Sequence, residues 1–225
     1  MELSIESSYT QTKHIFILLC LLDIGYQYLL TRLHYTFRYP TEISNRMTCI
    51  THIMFTTCYA VRNILVESWY QTPAYHSHFI IHSMVAYFLY DLLVLSLTER
   101  GRKQTIFLIH HAVSLLFLVT NRIQPCGDNI MFNSVTFLLE SPTPLLNTIK
   151  IIQEVNPNSY LYVSLYIYTT LYYGLSRVFL FFPYIIIYIQ HYFTLHWNHV
   201  ISLSTFILLL YASIKWFTMM IHKKV

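Results

Sequence analysis

Residues 103–116 read KQTIFLIHHAVSLL, with two adjacent histidines, His110 and His111, in the middle of an otherwise apolar run. Extended over 104–121, the run forms a helix of about 1.5 Å per residue that approaches the thickness of a bilayer core. Ionisable groups at that depth are costly, and where they occur they face a protein interior or a cavity. One stretch therefore predicts both a spanning helix and a polar interior behind it.

The rest of the chain extends that reading. Of its 225 residues, 55% are hydrophobic and 11% charged, against about 25% charged in a soluble domain. That deficit excludes an ordinary soluble globular domain. Runs of about 20 apolar residues predict seven spans, at 14–32, 47–66, 79–98, 104–121, 129–152, 160–190 and 199–221. The first is interrupted by Asp23 and is read as a retained helix rather than a cleaved signal. The fifth contains NSVTFLLESPTPLLN (133–147), whose Pro142 and Pro144 predict a broken or re-entrant helix. The sixth exceeds one bilayer thickness, and Pro183 is expected to kink or end it.

Basic residues divide unequally between the loops. Arg32, Arg38, Arg46, Arg100, Arg102, Lys103, Lys150, Lys223 and Lys224 fall on one side, and Lys13 and Arg122 on the other. The positive-inside rule makes the first side cytosolic, with a lumenal N-terminus and a cytosolic C-terminus. The net charge of +4 is explained by helix orientation and calls for no nucleic-acid partner. The four cysteines form no CxxC pair, so neither a disulfide framework nor a structural zinc site is expected.

Asp23, Arg62, His82, Asp91, His110, His111, Glu140 and Arg177 lie inside the predicted spans. Counting residues from the cytosolic boundary puts Asp91, His110 and Glu140 at one level, roughly 10–15 Å deep. Tyr87, Tyr90, Asp91 and Val94 share a helix face, together with Ser83. Phe107, His110, His111 and Ser114 fall on neighbouring faces of the next helix. Adjacent histidines diverge by about 100°, so one can meet a substrate while a neighbouring helix holds the other. Imidazole is suited to acid–base work and acyl transfer, and Asp91 and Glu140 are the candidate orienting carboxylates. The bland alternative is packing: two histidines hydrogen-bonding other helices.

A metal-dependent lipid oxidase is a third reading. His76, His78 and His82, and separately His191, His196 and His199, fall near the lumenal side. No HxxHH box occurs and no carboxylate lies beside either group, so no metal site or other cofactor is expected.

The ordered set SMVAYFLYDLLVL (83–95), KQTIFLIHHAVSLL (103–116), ESPTPLLN (140–147) and LSRVFLFFPY (175–184) resembles the TLC family (TRAM, Lag1 and CLN8 homology). SNRMTCITHIMFTTCYAV (44–61) is similar to the family's first domain helix. The resemblance covers 41–222 as a TLC domain and leaves 1–40 as an extra N-terminal helix and loop. It implies an all-α membrane protein with six helices around an elongated lipid cavity, often in the endoplasmic reticulum. It further implies catalytic roles for His110, His111, Asp91 and Glu140. Tyr87, Tyr90, Ser114, Asn147 and Arg177 are then the candidate substrate-binding residues.

Ceramide synthases of this family continue past the histidine pair with a motif of the type H-D-x-x-D-x-x-L-E. Here only Leu139–Glu140 of that motif is present, which favours the TLC-domain-containing branch over the ceramide synthases. The expected function is membrane lipid metabolism or homeostasis. One form is a histidine-dependent acyltransferase with acyl-CoA as candidate co-substrate. The other is a non-catalytic protein that binds a membrane lipid or fatty acyl chain and regulates membrane composition or traffic. The ending HKKV approaches a dilysine signal with altered spacing. Nothing in the sequence specifies an oligomeric state.

Overall fold

Two irregular places interrupt a fold built otherwise from continuous helices. The computed structural model describes residues 5–32, 40–66, 74–98, 105–122, 130–191 and 197–223, and every regular element among them is helical. In chain order these are α1 (Ile5–Arg32), α2 (Pro40–Val66), α3 (Ala74–Leu97), α4 (Thr105–Arg122), α5 (Ile130–Leu138), α6 (Thr143–Val155), α7 (Tyr160–Gly174), a π-helical turn (Leu175–Phe179), α8 (Phe181–His191) and α9 (Trp197–His222). Four stretches are long and apolar enough to cross a membrane: Thr10–Arg32, Phe79–Leu97, Tyr160–Gln190 and His199–His222. Phe107–Thr120 is a shorter apolar helix. The loop residues Arg38, Arg100, Arg102, Lys103 and Lys224 lie outside the described residues.

The break between α5 and α6 follows from two missing donors. Pro142 has no N–H for the Leu138 carbonyl; the Ser141 amide (3.2 Å) and hydroxyl (2.6 Å) bond it instead. Pro144 likewise leaves the Glu140 carbonyl, which accepts from the Thr143 amide at 2.9 Å. Ser141 also meets the Tyr172 hydroxyl at 2.6 Å. The interruption is therefore satisfied by protein, as a break in an apolar setting requires.

In the long sixth segment the regular α-helix is interrupted just before Pro183. Pro183 occupies the first turn of α8, where a missing N–H is tolerated. The irregularity lies one turn upstream, where the Leu180 amide bonds the Leu175 carbonyl at 2.9 Å, an i to i−5 step. This turn holds Arg177, which is buried. The start of α2 is also earlier than 47. Pro40 at its first position and Glu42 in its first turn are helix-start features, and the two extra turns bring Asn45 and Arg46 into the bundle.

Contacts run from α2 to α3, α4, α9, α7, α6 and back to α2, so six helices close a ring. α1 packs outside it against α2 and α3. There Ser44 donates to both the carbonyl and the carboxylate of Asp23, and Thr12 meets His82 at 3.1 Å. Asp23 thus has a partner that its position in the sequence did not name. At Gly174 an added Cβ would lie 2.5 Å from Phe217, so α7 and α9 approach closely where the π turn begins.

Candidate active site

Among these helices lies an open chamber of about 1030 Å³ whose lining includes Arg46, Lys150 and Lys223. His110, His111, Asp91, Glu140, Tyr87, Asn147 and Arg177 all line it. Both histidines are buried, with rings 5.4 Å apart. α4 supplies the pair, α3 supplies Asp91, and the α5–α6 break supplies Glu140. The layer counted from the sequence is thus a set of contacts across three segments.

The two histidines have different partners. His111 Nε2 donates to Asp91 Oδ2 at 2.8 Å. Asp91 Oδ1 accepts from Asn45 Nδ2 at 2.9 Å and from the Cys49 thiol at 3.7 Å. This arrangement fixes Nε2 of His111 as the protonated nitrogen in the neutral ring and leaves Nδ1 basic. His110 Nε2 stands 3.8 Å from Glu140 Oε1, beyond hydrogen-bonding range. Among the described residues neither Nδ1 has a hydrogen-bond partner. Trp216 packs on His110 at 5.3 Å, and Phe88 on His111 at 5.3 Å.

Glu140 has partners of its own. Arg177 Nη2 makes a short ion pair with Glu140 Oε2, and Thr143 Oγ1 donates to the same oxygen at 3.0 Å. Arg177 also donates to Thr143 at 3.3 Å and lies 5.8 Å from the Tyr173 ring. The extra residue of the π turn belongs to the segment that carries this guanidinium inward; such turns recur at functional sites.

A model of the TLC domain matches residues 42–222. The chain belongs to the TLC-domain family. That match runs from the first turn of α2 to the last residue of α9 and leaves α1 outside. No curated protein and no solved structure gives a significant match. Together with the apolar helices, the TLC domain makes this a multi-pass membrane protein of lipid-related function.

Within the TLC domain, the remaining sequence candidates do not all reach the chamber. Tyr90 is buried without lining it, because one step along α3 turns its side chain away from Asp91. Ser114 lines a separate small pocket one turn deeper. Asn147 Oδ1 accepts from Arg46 at 2.8 Å, and Arg177 is engaged with Glu140. Asn45, Cys49, Thr143, Tyr173 and Trp216 were not singled out from the sequence. Asn45 and Cys49 share a face at i, i+4, a signal hidden while α2 was taken to begin at 47. Of the histidines considered for metal binding, His82 meets Thr12 and His199 lies 6.3 Å from the Tyr188 ring. The side chains of His76, His78, His191 and His196 are outside the described residues. Among the described residues no three His, Cys, Asp or Glu side chains gather to hold a metal.

Proposed function

We propose that this TLC protein transfers an acyl group to a membrane lipid at His110–His111, with an acyl-CoA as donor. The observation that carries the reading is the His111–Asp91 contact of 2.8 Å in the wall of a large chamber. A carboxylate on one ring nitrogen orients the imidazole and stabilises its charged form, leaving the other nitrogen to take a proton. His110 is the acyl acceptor. Its ring nitrogen attacks the thioester carbonyl, the N–C bond forms and the C–S bond breaks. The thiolate leaves and takes the imidazole proton. The lipid hydroxyl or amine then attacks the acyl-imidazole, and His111 Nδ1 removes its proton. A new C–O or C–N bond forms, the acyl–His110 bond breaks, and the proton returns to His110.

The topology proposed with this mechanism has seven spans: the six-segment TLC bundle around a lipid cavity, and α1 beside it. The end bearing Arg46, Lys150 and Lys223 faces the cytosol, which suits a water-soluble donor, and the membrane is that of the endoplasmic reticulum. The reduced acidic motif supports the TLC-domain-containing branch rather than sphingoid-base acylation.

A second reading, a non-catalytic lipid-binding regulator, is favoured by one observation: Glu140 is neutralised by Arg177 and stands away from His110. Intact-mass analysis of purified protein with acyl-CoA separates the two. Acyl transfer predicts an adduct that disappears in the His110→Ala/His111→Ala protein. No adduct and no transfer across several chain lengths would exclude catalysis, and co-purifying lipid that survives the double substitution would support the regulator.

A further inference from the structure

A second void lies directly beneath the chamber. It is small, about 40 Å³, and mostly apolar, and it shares Glu140 and Arg177 as walls with the chamber. On each of five segments one of its residues lies one turn deeper than a residue of the chamber. Tyr87 of the chamber is followed by Met84, His111 by Ser114, Glu140 by Phe137, Arg177 by Phe181, and Trp216 by Ser213. Every step is three or four residues, in the direction that each segment runs away from the basic end. The two voids are therefore consecutive along one axis, separated by about one helical turn, or 5.4 Å.

Below the small void the axis is closed by aromatic rings. Phe206 and Phe117 are 4.3 Å apart between centroids, and both are buried. Phe181, Tyr184 and Tyr188 surround Phe206 at 5.8, 5.4 and 5.1 Å. The void is small enough that only a short group fits it, and rings packed at interior density do not yield to a longer chain without strain.

We infer that this aromatic floor, centred on Phe206, restricts the transferred acyl group to short chains. The inference rests on the proposed acyl transfer at the histidine pair. With the reacting carbonyl held at His110–His111, the polar basic end accommodates the donor's polar part and the alkyl tail points toward the floor. One turn of depth admits about four carbon–carbon bonds of roughly 1.5 Å. Along this axis the five phenylalanines or tyrosines behind the charged pair leave no apolar continuation for a long tail. Phe206 is the specificity-determining residue because every ring of the floor that closes the axis touches it.

The test is a series of acyl-CoA donors with C2, C4, C8 and C16 chains, added to the full-length protein in nanodiscs. Dissociation constants and intact-mass adducts are read in parallel. Each methylene that enters an apolar site strengthens binding about fourfold. The wild-type protein is expected to gain affinity from C2 to C4 and then level off. In Phe206→Ala the gain should continue to C8. Phe206→Leu, a milder change, serves if the alanine protein does not stay monodisperse, and the wild-type plateau decides alone if neither folds.

Affinity that climbs steadily to C16 in the wild type overturns the floor. So does a plateau that Phe206 substitution leaves in place, and so does absence of binding at every length. A plateau that shifts with Phe206 while no adduct forms at any length upholds the floor as a chain-length limit on binding and sinks acyl transfer.

Discussion

Asp91 and Glu140 each approach one histidine of the same pair, His111 and His110 respectively, and both are buried carboxylates. Asp91 is held by an amide, a thiol and an imidazole: Asn45, Cys49 and His111. Among the described residues no Lys or Arg is bonded to it, although the Arg46 guanidinium acts on it from farther away. Glu140 is held by Arg177 and Thr143. At about 4 Å and an effective dielectric near 20, one unit charge acts on another with roughly 4 kcal/mol. Asp91 can direct an interaction of that order at the imidazolium form of His111. The Arg177 guanidinium offsets most of what Glu140 would offer His110. The difference teaches that a buried carboxylate can act on a neighbouring imidazole more fully where no cation is bonded directly to it.

The largest expected effect comes from removing the charge that is free to act. Asp91→Asn keeps the shape and is expected to slow acyl transfer by about 10²–10⁴-fold, the range of general acid–base contributions. Glu140→Gln should slow it far less. Equal losses in the transfer of the acyl group from the acylated protein to the lipid would erase the distinction between the two sides.

Arg177→Met acts next, on stability. It leaves Glu140 buried without its counter-ion, and breaking such a pair typically destabilises by about 3–5 kcal/mol. Thermal unfolding in detergent should show the fall, and adding Glu140→Gln to the same protein should recover most of it. A double variant no more stable than Arg177→Met would mean that Arg177 acts through something other than Glu140.

Why one side of this comparison was legible in the sequence and the other less so has a physical basis. Helix periodicity and depth along an apolar run depend on local spacing, so Asp91, His110 and Glu140 could be assigned a common level before any contact was seen. The broken fifth segment was legible because a proline removes a donor wherever it stands. Counter-ions are not local. The Arg177–Glu140 pair joins positions 37 residues apart, and the π turn that accompanies it shifts the angular register that periodic counting assumes. Tyr90 stands outside the chamber lining for a related reason. A face drawn at i, i+3 and i+4 is wide, and only packing against α1 and α2 decides which edge of it meets the chamber. Asn45 was hidden by a boundary: polar residues at the start of α2 lower its apolar signal while extending its helix.

Smaller effects sharpen the same contrast. Asn45→Ala removes a hydrogen bond to a charged group, of the order of 1.5–3 kcal/mol where water does not replace it. Because Asn45 touches Asp91 and not the histidines, its loss should appear as slower transfer from the acylated protein to the lipid, with donor affinity unchanged. Unchanged transfer would mean that His111 alone positions Asp91. Thr143→Val is the corresponding change on the Glu140 side. It removes a hydroxyl donor of similar shape, but Arg177 still satisfies the same carboxylate oxygen. The expected loss is about 0.5–1.5 kcal/mol of stability, read by thermal unfolding, with adduct formation at the wild-type rate. A rate loss in Thr143→Val matching that of Asn45→Ala would show that Glu140 retains a share in the chemistry after all. The two sides of the pair would then differ in degree rather than in kind.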